Sequence, residues 1–144
     1  MSLSEKNKNT LLIRLHQLIE ENADKTVNSI FNDKIKEFIN YPPNGGFTEQ
    51  EKKAISEIEN SDTLRSALRK ILASNTADVF FDFFNLIDGT TDPEKGDWTG
   101  VKIVDVSDDD EEQVEFLHDE FFATYWDWRR NRKNSNWKLD LFDD

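Results

Sequence analysis

The feature that most constrains the fold of this chain is an apolar pattern that stays in helical phase over residues 64–87. Leucine, isoleucine, valine and phenylalanine share one helix face there, with a gap at residues 73–78 where the weak helix formers Ser74 to Thr76 could kink the helix. Ser61 and Asp62 stand where such a helix should begin, and Gly89 stands where a left-handed residue commonly ends one. The pattern therefore predicts a single long helix between these positions.

The sequence FFDFF at residues 80–84 makes one end of this helix apolar around most of its circumference. A helix of that kind usually runs through a core, so we expect it to bury Phe80, Phe83, Phe84 and Ile87. Phe81 differs, because it lies about 100° around the helix from its neighbour and beside two aspartates. It is either covered by another element or exposed next to carboxylates, and exposed aromatic residues ringed by charge are typical of interfaces.

The N-terminal half of the chain is also predicted to be helical. Residues 11–19 and 27–39 carry two amphipathic patterns, separated by a turn near residues 22–24. The turn sequence YPPNGGF should end the second of these helices. Thr48 and Glu51 then have the spacing of a capping box, which predicts a short third helix.

The C-terminal part contains a further amphipathic pattern over residues 114–128. Acidic residues precede it and basic residues follow its end, as the helix dipole favours. Residues 101–106 are rich in β-branched side chains and predict a short strand. The sole candidate partner for that strand is the alternating segment 137–141.

These elements predict a mostly α protein: a single compact helical domain of four to six helices with at most a minor two-stranded β element. With 144 residues the chain can bury one core, so we expect this domain to cover residues 1–144, with frayed ends at 1–8 and 140–144. The sequence has no cysteine, no signal-peptide pattern and no apolar run near the roughly 20 residues that cross a bilayer. We expect a soluble cytoplasmic protein without disulfides or membrane association.

The negative charge of the chain is concentrated in one segment. Residues 76–128 contain 2 Lys or Arg and 16 Asp or Glu, which gives −14 against −12 for the whole chain. The same segment holds 11 of the 17 aromatic residues, so it is unlike a disordered acidic tail. A segment with this charge should repel phosphates, so we expect no direct binding to nucleic acid.

The residues expected to form a binding surface are the acidic and aromatic side chains of this segment. Glycines and a proline make the stretch after residue 88 loop-like, and a second acidic cluster stands at the start of the last predicted helix. A tryptophan on that helix lies outside its main apolar face. The predicted partner-binding residues are Asp92, Glu94, Asp97, Trp98, Asp108, Asp109, Asp110, Glu111, Glu112 and Trp126.

One carboxylate pattern leaves an enzymatic alternative open. Glu20, Glu21 and Asp24 form EExxD, which resembles half of the Mg²⁺ site of helical nucleoside triphosphate hydrolases. Glu59 and Asp62 are the nearest candidates for the other half. A carboxylate cluster at a helix end is more often solvated charge than a metal site.

Other catalytic and metal-binding patterns are incomplete. Glu115 and His118 have the spacing of one di-iron ligand pair, but the second such pair is missing. The acidic residues after position 88 do not match the spacing of a calcium-binding loop. The chain also lacks a phosphate-binding glycine loop and a nucleophile elbow. We therefore predict no catalytic residues, no metal and no cofactor.

These observations favour a small acidic, non-enzymatic protein that binds a basic protein partner. Small acidic inhibitors of basic toxins, of the immunity or antitoxin type, and proteins that imitate the charge of DNA have a similar composition. Two alternatives remain at this point. One is an all-α, Mg²⁺-dependent nucleotide hydrolase, and the other is a domain whose acidity serves only solubility.

Overall fold

The computed structural model describes residues 3–43, 45–106, 126, 127 and 130. Of the described residues, 64% are helical, so the predicted mostly α class is confirmed. The described residues show three α-helices, fewer than the four to six predicted. They are α1 (Glu5–Phe31), α2 (Glu49–Ser56) and α3 (Asp62–Asp88), with a short 3-10 helix at Ile35–Glu37.

The first helix, α1, is continuous over 27 residues, although the sequence predicted a turn near residues 22–24. The Asn22 side chain does not break the helix, because its Nδ2 donates to the carbonyl oxygen four residues earlier at 2.8 Å. Ile19, Ala23 and Val27 lie on one face and are all buried. Asn and Asp cost a helix interior only about 0.7 kcal/mol relative to Ala, so burial of this face outweighs their turn preference.

The chain turns after α1, so the second predicted helix, over residues 27–39, does not form as a unit. Asp33 has a φ of 61°, a left-handed conformation that does not continue a helix. The N–H of Lys34 donates to the Ser29 carbonyl oxygen at 3.0 Å, and the 3-10 helix Ile35–Glu37 follows.

The start of α2 is the predicted capping box. The Glu51 N–H donates to Thr48 Oγ1 at 3.2 Å, and the Thr48 N–H donates to Glu51 Oε2 at 2.7 Å. Two backbone donors that the helix itself cannot satisfy are thereby paired. The capping-box prediction is confirmed.

Both ends of α3 lie where the sequence predicted them. Ser61 is the N-cap, and its hydroxyl oxygen accepts a hydrogen bond from the Leu64 N–H at 3.2 Å. Gly89 is the C-cap with a φ of 70°, and its N–H donates to the Asn85 carbonyl oxygen. One long helix over the apolar pattern is therefore confirmed.

The position of α3 differs from the prediction, because no α3 side chain is fully buried in the described structure. Phe83, expected in the core, is 49% exposed, whereas Phe80, Phe84 and Ile87 are half-buried. Phe81 is 68% exposed, so it is not covered by another element and lies exposed next to carboxylates. The apolar residues of α3 surround the helix, and a neighbour packed on one side can cover only one stripe of such a surface.

Residues 101–106 form no strand in the described structure, so the strand prediction there is wrong. The segment instead reaches the start of α1, where the Ser4 N–H donates to Asp105 Oδ1 at 3.2 Å. A β-branched run becomes a strand only when a second strand supplies its hydrogen-bonding partners. The candidate partner, residues 137–141, lies outside the described residues.

The predicted helix over residues 114–128 also lies mostly outside the described residues. Within that range the structure describes Trp126 and Asp127, which are helical.

Contacts along the chain divide it into two compact units. One comprises Met1–Val27 and Asn60–Asp110, and the other comprises Asn28–Glu59 and Glu111–Asp144. The loop after α3 belongs to the first unit. A single domain over residues 1–144 stays a prediction.

Candidate partner-binding surface

The segment after α3 is a surface loop, here called the acidic loop and comprising residues 89–100. Every residue in it is exposed, and Trp98 retains 38% of its accessible surface. Gly89, Gly96 and Gly100 have φ values of 70°, 98° and 89°, which only glycine adopts readily. These glycines bend the chain repeatedly, and the predicted surface loop is confirmed.

Hydrogen bonds attach the first residues of the acidic loop and the segment that follows the loop. The N–H groups of Thr90 and Thr91 donate to the Asn85 carbonyl oxygen at 3.0 and 3.3 Å. The Thr90 hydroxyl also donates to Asn85 Oδ1 at 2.9 Å. On the other side, the bond from Ser4 to Asp105 ties the following segment to the start of α1. The loop is therefore exposed between two attached ends.

The acidic loop presents three carboxylates and one ammonium group, that of Lys95, to solvent. Like charges so close together repel one another unless solvent or a basic partner relieves the repulsion. The structure brings four of the predicted site residues into this loop: Asp92, Glu94, Asp97 and Trp98.

The other predicted site residues are not joined to the loop by the structure. Residues 108–112, with the acidic side chains Asp108, Asp109, Asp110, Glu111 and Glu112, lie outside the described residues. Trp126 is half-buried and belongs to the second compact unit. Its participation in a partner-binding surface stays a prediction.

Exposed apolar side chains on α3 add to the surface of the first unit. Phe81 is 68% exposed, and Asp78 and Asp82 next to it are exposed as well. Ile71 and Val79 are exposed by 61% and 62%. Large apolar residues interspersed with carboxylates are typical of surfaces that bind another molecule.

Asp105, in the segment that follows the acidic loop, has a lowered pKa. Hydrogen bonds from the Asn7 side chain and from Ser4 hold the pKa of its carboxyl below the ordinary 3.8. These bonds favour the charged form, because the carboxylate accepts them. Asp105 therefore stays ionised while it holds its segment against the start of α1.

Sequence reasoning missed a cavity of about 680 Å³ in the first compact unit. Its walls come from the start of α1, the end of α3 and residues 102–104. A second cavity of about 390 Å³ continues between α1 and α3, and both are lined by Leu12, Phe81 and Phe84. The sequence pattern places apolar side chains along both helices, but it carries no signal of a gap between them.

Two of the three carboxylates of the EExxD pattern form ion pairs with arginines. Glu21 Oε1 lies 3.1 Å from Arg14 Nη1, and Asp24 Oδ1 lies 2.7 Å from Arg69 Nε. Across the residues that the structure describes, no group of three or more His, Cys, Asp or Glu side chains is arranged to hold a metal ion.

No helix in the described structure combines the length and the apolar character that crossing a bilayer requires. Comparisons of the chain with protein-family models, with curated proteins and with solved structures find no match in any of the three.

Proposed function

We propose that this chain is a small, non-enzymatic protein-binding protein that recognises a basic surface on a protein partner. The acidic loop and the acidic residues 108–112 provide the negative charge, and Trp98 provides the apolar anchor. Inhibitors of basic toxins and proteins that imitate DNA belong to the class that this proposal defines. A cytoplasmic location is part of the same proposal.

The observation that supports the proposal best is the exposure of the whole acidic loop between two attached ends. A loop held in this way presents its carboxylates in a restricted set of positions, so less conformational entropy is lost on binding. Trp98 is already partly exposed and can be covered by a partner without unfolding the loop.

At such a surface, charge mainly affects the rate of association, whereas apolar contact mainly affects affinity. A concentrated negative field accelerates the encounter with a positive partner, and salt weakens this effect over roughly 8 Å at physiological ionic strength. Exposed ion pairs themselves contribute little affinity, typically about 0–1 kcal/mol. A tryptophan that is buried at the interface provides most of the binding free energy that the ion pairs do not.

Two of the three carboxylates of the EExxD pattern, those of Glu21 and Asp24, are paired with arginines, which disfavours a Mg²⁺ site there. A Mg²⁺ ion at Asp24 would have to displace the guanidinium of Arg69, and at Glu21 that of Arg14. Both arginines would then be left beside the metal. We therefore do not propose nucleotide hydrolysis.

The proposal is tested by co-purifying the partner from the native host and measuring its association with the purified chain. In the test variant, the loop carboxylates are neutralised by Asp92→Asn, Glu94→Gln and Asp97→Asn. The matched control changes the net charge equally at three exposed positions elsewhere, by Glu20→Gln, Glu37→Gln and Glu59→Gln. We expect slower association for the loop variant alone, with a weaker dependence on salt.

A second variant, Asp108→Asn with Asp109→Asn and Asp110→Asn, should slow association in the same way. Equal association of the parent, the loop variant and this variant would reject the proposed surface. The acidity would then serve solubility only.

A further inference from the structure

We propose that the cavity at the start of α1 binds a small amphiphile: an apolar chain that carries one anionic head group, as a fatty carboxylate does. This inference is separate from the proposed protein-binding function, because it uses none of the carboxylates of the acidic loop. Either proposal can fail without the other.

The size and the walls of the cavity suit a small apolar ligand. Its volume of about 680 Å³ lies within the roughly 300–1,000 Å³ typical of ligand sites. Leu11, Leu12, Phe84 and Ile87 line it from the two helices, and Val104 lines it from the segment after the acidic loop. The adjoining cavity of about 390 Å³ extends the apolar space between the helices, which favours an elongated chain over a compact ligand.

Apolar surface at this site remains open to water. Phe81 lines both cavities and is 68% exposed, and Val104 is 42% exposed. Covering apolar surface is favourable by roughly 25 cal/mol for each Å² removed from water. A hydrocarbon chain in the groove would supply this cover without moving either helix.

Charges among the lining residues select the head group. Lys8, Lys102 and Asp88 line the same cavity, so its ionised lining groups sum to one positive charge in a chain of −12. Lys8 Nζ lies 2.5 Å from Glu5 Oε1 and is already paired. Lys102 lines the cavity, is exposed and forms no ion pair with the residues that the structure describes, so we assign it to the head group.

Asp88 restricts the charge that the head group can carry. A carboxylate in the cavity lining repels a ligand that brings more than one negative charge. A singly charged head, such as a carboxylate, can approach Lys102 with the least repulsion from Asp88. This favours fatty carboxylates over phosphate monoesters.

Calorimetric titration of the full chain with decanoate tests the proposal. Nonyltrimethylammonium has the same nine-carbon alkyl chain and the opposite charge, so we expect decanoate to bind and the cationic analogue to bind at least about tenfold more weakly. No measurable binding of decanoate, or equal binding of the two amphiphiles, would reject the proposed ligand class.

Two matched pairs of variants locate the site. Val104→Trp should fill the cavity and reduce decanoate affinity more than about tenfold, whereas Val106→Trp should not, because Val106 is 90% exposed and does not line the cavity. Lys102→Met should weaken binding by up to about fivefold, as expected for a partly exposed ion pair, whereas Lys95→Met in the acidic loop should not.

Circular dichroism establishes that the four variants keep their helices. If Val106→Trp weakens binding as much as Val104→Trp, or Lys95→Met as much as Lys102→Met, decanoate binds elsewhere and the site is wrong.

Discussion

Arg69 Nε lies 2.7 Å from Asp24 Oδ1, so an ion pair joins α3 to α1 across 45 positions of the chain. The two side chains are 42% and 54% exposed, so solvent screens their attraction. The pair nevertheless fixes how the two helices lie along each other at one point. It also occupies the carboxylate of Asp24, which the sequence suggested as a metal ligand.

A double-mutant cycle with Arg69→Met and Asp24→Asn should give a coupling free energy of about 0.2–1 kcal/mol. Urea denaturation of the four proteins measures it. The pair of Lys53 and Glu57, at 3.9 Å and with both side chains largely exposed, is the control and should give a value near zero. Equal coupling in both pairs would show that the Arg69 contact has no special role.

Removing the N-cap of α3 by Ser61→Ala should lower the free energy of unfolding by about 1 kcal/mol, because the Leu64 N–H loses its acceptor. Ser66→Ala changes the same residue type at an exposed position inside the helix and should leave stability within about 0.5 kcal/mol. Chemical denaturation measures the free energy of unfolding of both variants. A similar loss in both variants would contradict the capping role.

Val27→Ala should lower the free energy of unfolding by about 2 kcal/mol, because Val27 has no exposed surface and its truncation leaves a cavity. Ile13 lies on the same helix but is 53% exposed, so Ile13→Ala should cost much less. Thermal and urea unfolding give both values. A larger loss at Ile13 would mean that the buried face of α1 is misassigned.

The hydrogen bonds to Asp105 should make the attachment of its segment sensitive to acid. The pKa of Asp105 is lowered in the folded protein, so this contribution to stability is present above about pH 4. It is lost as the pH falls through the folded-state pKa. Carboxyl NMR should show a midpoint below 3.8 that rises towards 3.8 in Asn7→Ala. An unchanged midpoint in that variant would exclude the Asn7 side chain as the main cause.

Trp98→Ala should speed dissociation of the protein partner by about tenfold or more, while association changes little, if Trp98 is the apolar anchor. Tyr41→Ala is a suitable control, because Tyr41 is a similarly exposed aromatic residue of the second unit. Surface plasmon resonance with the purified partner separates the two rates. Identical dissociation in both variants would remove Trp98 from the site.

The parts of the fold that were predictable from sequence are those with a local cause. The capping box of Thr48 and Glu51 and the ends of α3 at Ser61 and Gly89 depend on hydrogen bonds within four residues or on a single backbone angle. The acidic loop was predictable for the same reason, since its glycines and proline prevent regular structure wherever the loop lies.

The parts that were not predictable depend on what lies next to an element in space. Asn22 was expected to mark a turn, yet the burial of its neighbour Ala23, on the face shared with Ile19 and Val27, keeps α1 intact. Phe83 was expected in a core, but its environment depends on how many neighbours α3 has. The cavity is a gap between elements, and a gap leaves no residue pattern in the sequence.

The attachment of the chain on both sides of the acidic loop has an evolutionary consequence. Within the acidic loop every side chain is exposed, so substitutions there leave the packing of the helices untouched. Natural variation can therefore alter the charge and length of this segment, and with it the choice of partner, at little cost to folding. We expect the loop to diverge between species faster than the helices that support it.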